Sequence, residues 1–513
     1  MDDLTFDVNK NVYIVELPLN VEIWQADIIN KRLEIGRRIF NALLGKVVKR
    51  YNEMIKTKIY RNLKIRLTEL KELGKGKLTK EEKKDIENER KTIYEQLNLL
   101  ELQYKLTKYD IVNEAKEMQH YFKYHLHSRV VQEIAKQVYT SLNSVMHGKG
   151  EKVHFKKFGT FNSLQSNEKN QAIIFDTDTI KWTGLTLLIN YPNSVKSKEY
   201  VQRNVFDNLH NLRYCTIVRK CIRGKNRYYV QLTFKSTIPQ LKHKLGKGRV
   251  GIDIGTSTIA LSSDKTVNIL ELADKVQSIE KQKAKLLRRM DRSRRANNPN
   301  KYNEDGTYKK GNKDKWNNSK HYLKYQVELR ELYRKQSVIR KLQHGALSNY
   351  ILSLGDEFYV EKMNFQGLQK RSKKTEKKPD GKCKCKKRYG KSIGNRAPSM
   401  LLTMIDNKLH NYGKMLIKIN TNKCKASQFN HITGECKKKS LGQRWNVISN
   451  QLIQRDLYSA FLISNTNETL DGFDIDLCNN KYENFIELHN NKINEIKQIK
   501  QNTNKKFLSC IGI

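Results

Sequence analysis

The segment "VGIDIGTSTIALSS", Val250 to Ser263, constrains this chain more than any other stretch, because it sets an aspartate among isoleucines and glycines. If 250–255 is a strand, Gly251, Asp253 and Gly255 point to one face and Val250, Ile252 and Ile254 to the other. A carboxylate there is costly to bury without a positive partner, and the glycines leave room for a metal ion or a phosphate to approach the backbone. The plainer alternative is a strand-end aspartate satisfied by bonding a turn.

Charge narrows the class of partner. The 513 residues carry 99 Lys+Arg against 53 Asp+Glu, a formal net charge of +46. Such a surplus repels itself in a compact fold unless a polyanion neutralises it, and nucleic acid is the commonest such partner. Two stretches concentrate it: 281–320 holds 14 Lys/Arg and 4 Asp/Glu, and 370–391 holds 12 and 2. Read plainly these are solvated helix faces and a loop. In a chain this basic they become phosphate contacts, with Tyr302, Trp316 and Tyr389 available for stacking. No apolar run is long enough to span a membrane, and the start "MDDLTFDVNKN" does not read as a signal peptide. The 8 irregularly spaced cysteines suit reduced thiols, so the expected location is the cytoplasm, beside the nucleoid of a prokaryotic cell.

Periodicity divides the chain. "VYIVELPL" reads as a strand, and the stretch from Trp24 to about Gly148 is mostly helical. In "SRVVQEIAKQVYTSLNSVMHG", Ser128 can cap, Val131, Ile134 and Val138 share a face, and Gly148 ends the helix. From 151 to Pro239 the period moves towards two. "CIRGKNRYYVQLTF" reads as a hairpin with a Gly-Lys-Asn turn, followed by alternating Tyr228, Val230, Leu232 and Phe234. A β-module interrupted by a helical insertion and closing near Lys247 is expected. Strand signals at 248–262 and 357–362, separated by long basic helices, open a second part.

Two further acids accompany Asp253. Glu361 ends the strand in "DEFYVEKMNFQGLQKRSKK", 108 residues on, and Asp456 opens an amphipathic helix in "IQRDLYSAFLI", another 95 on. Singly, Glu361 reads as a surface strand residue and Asp456 as a helix N-cap. "GIDIGTST" also resembles the first phosphate motif of actin-like kinases and ATPases. That family needs a second Asp-x-Gly hairpin and a Gly-rich adenosine loop, neither of which is found; "LDGFDID" near 470 has the wrong surroundings. The order Asp-strand, Glu-strand, Asp-helix instead resembles RuvC-like nucleases, a branch of the ribonuclease H-like fold. "RRIFNALLGKVVKRYNEM" at 37–54, "HFKKFGTF" at 154–161, the GIDIG strand, "VEKMNFQGL" and "QRDLYSA" fall in the order seen in the TnpB family of transposon-encoded RNA-guided DNA endonucleases and the related compact type V CRISPR effectors.

The resemblance implies a multidomain α/β protein: a wedge β-barrel at 1–25 and 151–246, a helical recognition insertion at 26–150, and a RuvC nuclease domain at 247–420 with basic bridging helices. A target-binding insert at 421–446 and a C-terminal RuvC part with a tail at 447–513 complete it. It implies that Asp253, Glu361 and Asp456 are catalytic and hold two Mg²⁺ or Mn²⁺ ions, since paired metals activate water and stabilise the leaving oxygen in phosphodiester cleavage. Guide RNA and double-stranded target DNA are the implied partners, with no membrane or small-molecule substrate, and a monomer is favoured. A target-adjacent motif would be read by the N-terminal half, while guide pairing supplies specificity. Expected nucleic-acid contacts are Lys156, Lys157, Lys285, Arg288, Arg289, Arg292, Arg294, Arg295, Lys370, Arg371, Lys373, Lys374, Arg388 and Arg396. A type V CRISPR effector and a nuclease-dead RNA-guided repressor are the alternatives.

The chain departs from the family twice. In place of paired Cys-x-x-Cys motifs it has "TNKCKASQFNHITGECKKKSLGQRW", with lone Cys424 and Cys436 and the single His431; the pair Cys383 and Cys385 lies outside that segment. A tetrahedral site needs four ligands, so zinc is not expected, and Phe429, Ile432, Leu441 and Trp445 are expected to form a small core instead. The second departure is Gln454 and Tyr458–Ser459, where the family often has an acid and Asn-Ala.

Overall fold

The computed structural model describes residues 12–74, 76, 79–235, 245–372, 389–440, 442–503, 508, 511 and 512. The chain forms two compact units, Met1–Thr237 and Ile238–Ile513. No helix among the described residues is long and apolar enough to cross a membrane.

The first unit opens with β1 (Val12–Asn20) and five helices, α1 (Ile23–Met54), α2 (Lys58–Leu73), α3 (Lys80–Gln103), α4 (Lys108–Tyr121) and α5 (Ser128–Met146). It continues with β2 (Ser163–Gln165), β3 (Ile173–Asp176), β4 (Thr179–Trp182), β5 (Leu185–Ile189), α6 (Val195–Asn204), β6 (Leu212–Ile222) and β7 (Lys225–Lys235). The strands make one antiparallel sheet in the order β2-β6-β7-β1-β5-β4-β3, and β3 comes back against β6, so the sheet is nearly closed. On α1, Ile29, Leu33, Phe40, Leu43, Leu44 and Val47 recur at helical spacing and are all but fully buried. Arg32 joins this helix to the sheet, donating to the Trp182 carbonyl at 2.7 Å with its guanidinium 4.6 Å from the centre of the Trp182 ring.

Two local expectations need correction. Ser128 is the first residue of α5 rather than its cap: His127 precedes it and accepts the Arg129 N–H. Gly148 does stand just past the helix, at φ 68°, the left-handed conformation glycine adopts without a Cβ clash. The β6–β7 turn is Arg223-Gly224, not Gly-Lys-Asn. Ile222 pairs directly with Lys225, and the two turn residues have φ 51° and 78°, as a two-residue primed turn requires.

The second unit is built on β8 (Arg249–Ile254), β9 (Thr258–Ser263), β10 (Val267–Glu271), β11 (Glu357–Glu361) and β12 (Leu416–Ile419), in the sheet order β10-β9-β8-β11-β12. The first three pair antiparallel, while β8, β11 and β12 run parallel. Its helices are α7 (Val276–Ala296), α8 (Lys320–Leu352), α9 (Phe365–Leu368), α10 (Gly390–Arg396), α11 (Pro398–His410), α12 (Thr421–Cys424), α13 (Arg455–Ser464) and α14 (Ile475–Thr503). A two-stranded ribbon, β13 (Trp445–Ile448) and β14 (Gln451–Gln454), leads into α13. One face of the sheet packs Val250, Ile252, Ile254, Phe358 and Val360 against α8 and α11. The other packs Ala260, Tyr359 and Ile419 against α13 and α14.

Candidate active site

Sheet register brings two of the three acids together. β11 and β8 pair in parallel up to Val360↔Ile252. One residue further on, at the carboxyl ends of both strands, stand Glu361 and Asp253. Alternation puts both on the face shared by the paired Tyr359 and Gly251, the face that carries α13. On the other side of β8, Asp253 pairs with Ala260, whose small side chain leaves space beside the carboxyl.

The third acid is delivered by a close helix–strand contact. A Cβ at Gly251 would lie 1.9 Å from the Ala460 carbonyl oxygen and 2.5 Å from the Ser464 nitrogen, so only glycine lets α13 rest on β8. Gly251 therefore makes room for a helix, not for a ligand as the sequence suggested. Asp456 sits four residues before Ala460 on the same helix face, about 6.0 Å along the axis, and Asp253 sits two residues past Gly251, about 6.6 Å along the strand. The matched steps bring Asp456 over Asp253. Asp456 is not the helix N-cap: Gln454 is, its side chain accepting the Leu457 N–H at 2.8 Å. Nor is α13 amphipathic, since every residue of it except Asp456 is buried.

Asp253, Glu361 and Asp456 line one cavity of about 530 Å³, together with Thr256, Ser257, Thr258, Ser427 and Ser459. Lys438, Lys439, Arg444 and Arg455 also line it and form its basic wall. Asp456 is paired with Arg455 at 3.4 Å and with Arg444 at 3.8 Å. Burial raises the Asp253 carboxyl well above the aspartate range; the charges of Asp456 and Glu361 add to this, and Arg455 opposes it. Burial also raises Glu361, against the backbone N–H of Ala426, which it accepts. The site is thus an acid cluster under mutual repulsion beside a basic wall. Among the described residues, no three His, Cys, Asp or Glu side chains stand close enough together to hold one ion. In chemistry the donor set is three carboxylates, which suits hard divalent cations such as Mg²⁺.

Sequence reasoning missed the basic wall. Its signal is the run "CKKKSLGQR" just before the last acid, where the cations stand close behind Cys436. The metal-ribbon residues are dispersed: Cys424 is buried with its thiol towards the Leu470 carbonyl, and Cys436 is exposed. His431 is buried, with Nδ1 2.6 Å from the Tyr458 hydroxyl and its ring against Tyr482 and Phe461. The departure at Tyr458 therefore has a structural role, tying the insert to α13. Of the expected small core, Phe429 and Trp445 pack against the α13 cluster, but Ile432 is exposed at 47%, because the turn that carries it faces outward. Leu441, Cys383 and Cys385 lie outside the described residues.

The expected nucleic-acid residues separate by exposure. Lys285, Arg288, Arg289 and Arg292 project from α7 into solvent, while Ile279, Leu286 and Met290 pack against α8. Lys370, Arg371, Lys156 and Lys157 are also exposed. Three others also make contacts within the protein. Arg294 and Arg295 both pair with Asp291, at 3.1 and 2.8 Å, and lie over Trp316 and Tyr302; Arg396 pairs with Glu271. Tyr302 and Trp316 pack with each other and with Tyr308 in a partly exposed aromatic cluster, and Tyr389 packs against the α8–α11 core. Lys373, Lys374 and Arg388 lie outside the described residues.

No protein-family model and no curated protein sequence matches the chain. Among solved structures it is distantly similar to a chain in a cryo-EM structure of a CRISPR-Cas12f ternary complex, with 13% identity and a TM-score of 0.27 over 86% of this chain and 82% of that one.

Proposed function

We propose that this protein is a metal-dependent, RNA-guided DNA endonuclease of the TnpB type, with Asp253, Glu361 and Asp456 as its catalytic acids. The observation that carries the reading is the meeting of these three carboxylates, from two parallel strand ends and a helix start, in one cavity with a basic wall. Asp253 and Glu361 take part in no ion pair among the described residues, and burial disfavours their charged forms unless a cation joins them. Magnesium ions held by the three acids would activate the attacking water and stabilise the leaving oxygen. Lys438 and Lys439 are set to receive the phosphodiester against those acids, and the exposed face of α7 to follow a nucleic-acid backbone. Support for RNA guidance is the order of the sequence motifs together with the +46 net charge.

The decisive experiment expresses the protein with its flanking DNA, sequences the copurifying RNA, and assays plasmid cleavage in Mg²⁺ with the end of that RNA rewritten. Cutting that follows the rewritten sequence is the expected result. Cutting that ignores it, or persists after the RNA is digested, makes this an unguided nuclease.

A further inference from the structure

Phe158 is 81% exposed, among the most exposed aromatic side chains of the described residues, yet its backbone is tightly held. The Lys157 carbonyl accepts from the Thr160 N–H at 3.1 Å and from the Thr160 hydroxyl at 2.7 Å, closing a turn with Phe158 and Gly159 at its centre. Gly159 has φ 72°, the positive value a type II turn needs at that position. On one side, Asn41 of α1 exchanges two hydrogen bonds with the Lys156 backbone, at 2.8 and 2.9 Å, and Arg37 donates to the same carbonyl at 3.1 Å. On the other side, Arg219 of β6 donates to the Gly159 carbonyl at 3.0 Å and to the Phe161 carbonyl at 3.3 Å.

A phenyl ring left in water forfeits the free energy of burial, and nothing in the turn itself needs an aromatic at that position. Lys152, Lys156 and Lys157, which precede it in sequence, are exposed, and no carboxylate lies between 152 and 160. A protruding ring on a pre-ordered backbone, directly preceded by two exposed lysines, matches a ligand that offers a flat π-face and phosphates together. We propose that Phe158 is a stacking platform for an unpaired nucleobase, with Lys156 and Lys157 contacting the adjoining phosphates. The inference rests on the reading that this protein binds nucleic acid; it does not require that it cleave.

The test measures binding of the full-length protein, in EDTA, to fluorescent single-stranded oligonucleotides of DNA and of RNA over a series of salt concentrations. Phe158→Ala is expected to weaken binding by about 5- to 100-fold, the usual effect of removing one base–aromatic stack, without changing the salt slope or the melting temperature. Phe158→Trp should restore affinity and Phe158→Leu should not, because leucine is apolar but has no ring to stack. Lys157→Gln should lower the slope of log K against log salt by about 0.7. The DNA and RNA arms report which strand supplies the base. If the wild-type protein binds neither oligonucleotide, the nucleic-acid reading itself fails and this inference with it. If the wild type binds but Phe158→Ala binds equally well, or Phe158→Leu binds like wild type, the stacking assignment alone is overturned.

Discussion

The two faces of the five-stranded sheet in the second unit are made by alternate residues of the same strands, yet they do opposite things. Towards α8 and α11, Val250, Ile252, Phe358 and Val360 are buried at 1% exposure or less in a wholly apolar layer. Towards α13, the same two strands carry Gly251, Asp253 and Glu361 beside the packed Tyr359, and at Gly251 a backbone contact replaces side-chain packing. The apolar face supplies cohesion by removing hydrocarbon from water. The α13 face uses that cohesion to hold three acids against their repulsion. Stability and chemistry are separated by the two-residue period of a strand.

The largest expected effect breaks the acid side alone. Asp253→Ala, Glu361→Ala and Asp456→Ala should each lower Mg²⁺-dependent DNA cleavage by on the order of a thousand-fold, the several kcal/mol a metal contributes to the transition state. Nucleic-acid affinity should stay within a few-fold of wild type in gel-shift titrations. Undiminished cleavage by any one variant removes that residue from the site.

Next comes the contact between the faces' supports. Gly251→Ala should destabilise the second unit by about 3 kcal/mol or more in urea unfolding, since its Cβ would strike backbone atoms that cannot rotate away. Ile252→Val, the adjacent residue on the apolar face, should cost only about 0.5–1.5 kcal/mol. Equal losses at the two positions would contradict the close approach of α13.

Acid should weaken the α13 side through its buried histidine. Burial lowers His431 to about 4, so between pH 6.5 and 4 the unfolded chain binds a proton that the folded chain refuses. Stability therefore falls as pH drops through that window, by up to about 3 kcal/mol from this residue. Asp253 and Glu361 act in the opposite sense, because burial, joined for Asp253 by the neighbouring carboxylates, favours their protonated forms in the folded chain. The difference between wild type and His431→Phe isolates the histidine. A difference that does not change between pH 7 and pH 4.5 would show that His431 titrates normally.

The smallest effect concerns the basic helix. Replacing Arg288, Arg289 and Arg292 together by Gln should reduce the salt slope of nucleic-acid binding by about 0.7–0.9 for each phosphate that is no longer neutralised. Arg294→Gln with Arg295→Gln should leave the slope unchanged and lower the melting temperature, since these two pair with Asp291. A fall in slope from the second pair would place them on the nucleic acid.

Local pattern made the strands of the β6–β7 hairpin legible but misplaced its turn, because Arg223 gives no sequence sign of a positive φ. The insert before α13 was legible only as a departure from a metal ribbon. Its anchor, the hydrogen bond between His431 and Tyr458, joins residues 27 apart, beyond the reach of any helical or strand period.

By itself the sequence determined the alternation that sets Asp253 opposite an apolar face, Glu361 at a strand end, Asp456 in the first turn of a helix, and a charge that calls for a polyanion. These follow from composition and from periods of 2 and 3.6 residues, which each short stretch carries independently. Only the tertiary structure decided that Gly251 receives α13, that Lys438, Lys439 and Arg444 wall the cavity, and that Arg294, Arg295 and Arg396 are engaged internally. Those outcomes depend on which surfaces meet, and a glycine or an arginine reads the same in sequence whether its neighbour is solvent, a helix backbone or a carboxylate.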